Sequence, residues 1–137
     1  KVALLNWTQQ KIDSRIRKRK WAKSLKEAVN KIDFSEILVL REFPLNGQQS
    51  LDMPIDDPVV AGMLNKGILY QLSSMGQMSR EGMMMPVAIN NLIADQITAE
   101  FLDLPRTEPN QNEIDKILNA RPDWAKSVTA RKANRWY

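Results

Sequence analysis

Neither cysteine nor histidine occurs anywhere in the chain. The first absence excludes a disulfide framework and a thiolate zinc site, and suits a reducing compartment. The second removes the commonest general base and the commonest metal ligand. Glycine is sparse, and "GMLNKG", its densest stretch, lacks the spacing of a phosphate loop. Serines and threonines are scattered, with no glycine-flanked nucleophile and no base to serve one. No apolar run reaches the roughly 18 residues of a membrane span. An enzyme is therefore not expected, nor is any cofactor or metal.

What is present is the composition of one globular domain, 43% apolar and 26% charged in 137 residues. The first residue is Lys1, not methionine, so a fragment of a longer chain is expected. The net charge of +4 hides an asymmetry. Residues 1–31 hold ten Lys/Arg against Asp13 and Glu27, a balance of +8. Residues 32–125 hold six basic and fourteen acidic side chains, a balance of −8. The last twelve add Lys126, Arg131, Lys132 and Arg135 with no acid. An acidic body with basic ends follows, which a pI of 9.5 for the whole chain conceals.

Residues 11–32 read as helix. Trp21, Leu25, Ala28, Val29 and Ile32 share one face, whereas Ile12 and Ile16 point roughly the opposite way. Between them "RIRKRK" places Arg15, Arg17, Lys18, Arg19 and Lys20 in a block no core accepts. That block is either a solvated face or a surface for phosphate-bearing partners. Residues 1–20 are a basic lead-in, frayed or projecting as a helix, and packing begins at Trp21.

Asp33 to Glu36 has the pattern of a capping box for a second helix, through about Phe43, with Ile37, Leu38 and Leu40 inward. Pro44 should stop it, and Asn46-Gly47 should supply a turn at positive φ. "SLDMPI" is a short extended segment, placed at an edge by Pro54. A third helix runs from Pro58 to about Lys66, capped by Asp57 and ended by Gly67 in the left-handed region. "ILYQLS" and "MMMPVAI" read as strands joined by the loop "SMGQMSREG", with Met83 and Met85 on the core side. A helix with Leu92, Ile93, Ile97 and Phe101 on one face should follow and end at Leu104-Pro105. A short helix with Ile114, Ile117 and Leu118 stops at Arg121-Pro122, and the remaining tail should be only partly ordered. The fold class is α+β: mainly helical, with a winged-helix-like core, a small β-hairpin and a C-terminal helical extension.

Glu42, Asp52, Asp56 and Asp57 lie close enough in sequence to suggest acid/base work or a magnesium site. Asp56 and Asp57, however, sit where a helix start favours carboxylates. The third helix occupies the place of a DNA-reading helix, yet those carboxylates would repel phosphate. Only Asn65 and Lys66, at its far end, are polar. Burial of Val60 and Leu64, or of Val59 and Met63, is its expected role, and nucleic acid is not the expected partner.

The stretch Ile37 to Gln71, "ILVLREFPLNGQQSLDMPIDDPVVAGMLNKGILYQ", resembles the soluble part of the superinfection exclusion protein B family. The resemblance rests on Leu40, Arg41 and Phe43, on Asn46-Gly47, and on Asp57, Val59 to Gly62 and Lys66 to Tyr70. It implies a bacterial or prophage protein of the inner membrane, with membrane helices preceding a cytoplasmic domain that blocks a second infecting phage. No catalytic residues come with it. On this reading residues 1–20 are a juxtamembrane lead-in, 21–104 the core domain, and 105–137 a helical extension with a basic tail. Residues 11–20 would meet an anionic membrane surface, since lysine and arginine beside a span favour anionic headgroups. An unknown protein partner, with a phage-encoded protein as the candidate, and self-association through the extended helix complete the expectations. The competing reading is a soluble winged-helix module that grips nucleic acid with its basic ends.

Overall fold

The computed structural model describes residues 2–126, with side chains from Ser14 onward. The side chain of Ile12 and the tail with Arg131, Lys132 and Arg135 lie outside the described residues. Helix α1 runs unbroken from Val2 to Asn30, straight through the basic block. Only its last turns enter the body: Leu25 and Val29 are buried, with Ala28 and Ile32 packed beside them. Trp21 was expected among the packed residues but is 49% exposed. Its indole meets the turn at Gly67 on one side, where the surface of the body ends.

Helix α2 (Phe34–Asn46) starts at the expected capping box. The Glu36 N–H donates to Asp33 Oδ1 at 2.9 Å and the Asp33 N–H to Glu36 Oε1 at 3.3 Å. The Ser35 hydroxyl, and then the Glu36 N–H, hold the Asp33 carboxyl below its ordinary pKa. The helix outruns its expected end at Phe43. Pro44 lies inside it, Asn46 is still helical, and Gly47 alone takes positive φ, at 62°. In a last turn, proline removes one hydrogen bond and the next residues can still complete theirs, so the stop falls at the glycine.

Strand β4 (Gly82–Ile89) is the centre of a small antiparallel sheet. Along one edge runs β1 (Ser50–Pro54), with Leu51 opposite Val87 and Met53 opposite Met85. The other edge takes β2 (Leu69–Gln71) and then β3 (Gln77–Ser79). The loop read between two strands therefore contains a third, which turns into β4 through Arg80-Glu81. Three residues are too short a run for alternation to register as a strand. Met85 is buried on the core side as expected, but Met83 is only half-buried, and Met84 on the opposite face is also buried.

Helix α3 (Pro58–Lys66) has the expected bounds. Its buried pair is Val60 with Met63, three residues apart, while Val59 and Leu64 are half-buried. These two meet Leu40, Met53, Ile68 and Val87 in one core.

The helix expected over Leu92 to Phe101 does not form. A single 3-10 turn, Ala94–Gln96, stands in its place. Asn90 Oδ1 accepts the Leu92 N–H at 3.0 Å, and Thr98 Oγ1 accepts the Phe101 N–H at 3.1 Å. A helix would send the Phe101 N–H to the Ile97 carbonyl, and Thr98 takes it instead, while the Gln96 and Ile97 N–H groups reach back only three residues. Of the four apolar residues, Ile93 is buried, Ile97 and Phe101 are half-buried, and Leu92 is 55% exposed.

Helix α4 (Gln111–Asn119) follows, capped by Asn110. Beyond it, Trp124 packs against the core and Ala125 is buried. The described architecture is α+β: helices α1 to α4, one 3-10 turn, a further helical turn at 123–126 and a four-stranded antiparallel sheet.

Candidate functional site

Arg15, Arg17, Lys18, Arg19 and Lys20 are all exposed. At 100° per residue they wind around the whole circumference of α1, so no stripe of it is left apolar. Ile16, in their midst, is 44% exposed. From Arg15 to Trp21 the helix is exposed on every residue, an arm leaving the body. The block is brought together by local helix geometry alone.

The two structural caps stand as anticipated. Asp57 Oδ2 accepts from the Val59 and Val60 N–H groups at 3.1 and 3.2 Å. Gly67 ends α3 at φ 82°, and its N–H donates to the Leu64 carbonyl. Asp56 does not cap. Its carboxylate accepts the Met83 N–H at 3.1 Å and presses against Gly82, whose φ is 122°. A carbon at Gly82 Cβ would come within 2.3 Å of Asp56 Oδ1, so the contact requires glycine there.

Glu42 is 2% exposed and is held by Arg121, which donates from Nε at 3.0 Å and Nη2 at 2.7 Å. Donating to the Glu42 carboxylate raises the Arg121 pKa above its ordinary value. Three of the four carboxylates weighed as chemistry thus serve the fold, and Asp52 lies exposed on β1. No group of carboxylates suited to a metal ion occurs among the described residues. Lys66, one of two polar groups α3 could offer DNA, is paired with Glu36 at 3.0 Å.

Two concave regions lie at opposite ends of α3. At its N-terminal end, a groove of about 550 Å³ is lined by Asp56, Asp57, Glu81 and Asp123 with Trp124, and by no lysine or arginine. At its C-terminal end, Trp21, Leu64, Leu69, Tyr70 and Asn90 form a corner of about 690 Å³ lined by no charged side chain. Sequence reasoning missed this corner. The outward alternation of Tyr70 and Leu72 in "ILYQLS" was its one signal. It also missed Arg41, which is buried, donates from Nε to the Leu102 carbonyl at 2.8 Å, and lies 5.7 Å from the Phe34 ring centroid.

The family model described as super-infection exclusion protein B matches residues 2–100. That span takes in α1, α2, α3 and the whole sheet, and with them the stretch Ile37 to Gln71; it ends before α4. No curated protein and no solved structure gives a significant match. No described helix is long and apolar enough to cross a membrane.

Proposed function

The chain belongs to the super-infection exclusion protein B family, and from that premise we propose that it is the cytoplasmic-face domain of a membrane-anchored exclusion protein. It acts by protein–protein contact and not by catalysis. The observation that carries this reading is the exposed cationic arm of α1, Arg15 to Lys20, set on an acidic body. Each basic residue near an anionic leaflet contributes about 1 kcal/mol of attraction. The carboxylates of the body are repelled by the same leaflet, so the cationic arm is what draws the chain to it.

The core is read as winged-helix-like because α3 precedes a sheet in the order β1-β4-β2, with β3 and β4 forming a wing-like hairpin. DNA reading by α3 is disfavoured by Asp56 and Asp57 at its start and by the Lys66–Glu36 pair at its end.

The test is co-sedimentation with anionic and neutral vesicles at low salt. The intact chain is compared with a variant in which Arg15, Arg17, Lys18, Arg19 and Lys20 are all glutamine. Binding to anionic vesicles only, lost in the variant, supports the reading. Equal sedimentation of both proteins overturns it. Duplex DNA binding with a steep salt slope would favour the nucleic-acid reading instead.

A further inference from the structure

We infer that the folded body itself touches the bilayer, through the uncharged corner where α1 leaves it, with Trp21, Tyr70 and Leu72 seated among anionic lipid headgroups. The inference rests on the membrane apposition proposed above and goes further, because it fixes which face of the body is turned to the lipid.

Three observations meet at this corner. Trp21, Tyr70 and Leu72 are large apolar side chains at 49%, 38% and 48% exposure. Trp21 and Tyr70 line the same corner, and Leu72, just past β2, lines with Tyr70 the adjoining groove over Ala88 and Ile97. Tryptophan and tyrosine favour the headgroup level, where an apolar ring and a polar tip are both satisfied.

Charge supplies the direction. The cations Lys18, Arg19 and Lys20 immediately precede Trp21, and Lys18 lies one turn before it on the same helical face. The corner contributes no carboxylate, although the body carries fourteen acids in residues 32–125. The four-carboxylate groove lies at the other end of α3, about 12 Å away along a helix of nine residues. An anionic surface therefore attracts one end of α3 and repels the other. With the corner on the lipid, the acidic groove and Trp124 face the aqueous side.

The experiment follows Trp21 in the full chain with Trp7, Trp124 and Trp136 replaced by phenylalanine. Vesicles are of phosphatidylcholine with phosphatidylglycerol, containing a lipid that bears a spin label at headgroup depth. The expected result is a blue-shifted Trp21 emission that the label quenches. Tyr70→Ser with Leu72→Ser should weaken partitioning about tenfold, with a smaller effect from either change alone. Because Trp124 packs against the core, Trp21→Phe in the otherwise unchanged chain gives a second measurement. Its difference spectrum isolates the same residue. If the chain binds anionic vesicles while Trp21 stays unquenched and the serine variants bind normally, the corner is refuted and the arm alone makes contact. If the intact chain does not bind at all, both this inference and the membrane reading fail.

Discussion

Replacing Arg121 by methionine would leave a carboxylate in the body with almost nothing to hold it. Glu42 is 2% exposed and receives two hydrogen bonds from Arg121; beyond these, among the described residues, its carboxylate has Asn46 Nδ2 at 3.5 Å. Removing one partner of such a pair costs about 3–5 kcal/mol, because the remaining charge stays desolvated. The Arg121 side chain is 12% exposed, so water can partly replace it and the lower end applies, about 3 kcal/mol. Against a domain stability of about 5–15 kcal/mol this is a large share. The double change Glu42→Leu with Arg121→Met removes both charges and should recover most of the loss. Urea unfolding followed by far-UV circular dichroism, read on the parent, Arg121→Met, Glu42→Leu and the double variant, closes the cycle and gives the coupling energy. A single variant within about 1 kcal/mol of the parent would mean that the pair behaves like a surface ion pair. A double variant no more stable than Arg121→Met would equally refute the reasoning.

Other expectations follow from the caps, the core and the turn between β3 and β4. Asp57→Ala should cost about 0.5–2 kcal/mol by orphaning the Val59 and Val60 N–H groups, and Met63→Ala about 2–5 kcal/mol by opening a cavity, both read by urea unfolding. Gly82→Ala should destabilise by about 1–3 kcal/mol, since its φ of 122° suits only glycine and the new carbon displaces Asp56. The Asp33 carboxyl is held below its ordinary value by Ser35 and Glu36, so its stabilising share is present above about pH 4 and lost as pH falls through the lowered folded value. Thermal unfolding at stepped pH should therefore show the gap between the parent and Asp33→Asn closing below pH 4; a constant gap would contradict the assignment.

Local signals were legible in the sequence, and distant ones were not. Asp33 with Glu36, and Asp57-Pro58 with Gly67, are satisfied by backbone groups within a turn of themselves, so the start of α2 and both ends of α3 could be placed from the residues alone. The basic block needed only helical spacing. Residues 91–104 misled because their apolar spacing suits a helix, while Thr98 takes the Phe101 N–H and the preceding turn closes over three residues instead of four. Glu42 looked like free chemistry because Arg121, which pairs with it, is 79 residues away. The uncharged corner brings Trp21 beside Tyr70 only once α3 and β2 have folded against α1, and nothing in either segment announces the other.

The unbroken course of α1 through Lys20 has a mechanical consequence. A helix of 29 residues is about 43 Å long and advances 1.5 Å and 100° with every residue. Whatever is fixed at the Val2 end is therefore geared to the body in both distance and angle. Two residues inserted near Lys18 would turn the body roughly half a revolution about the axis; seven would return it almost to its original bearing, about 10 Å farther out. Exclusion that depends on facing a partner should fail with the first insertion and survive the second. A flexible tether would be indifferent to both.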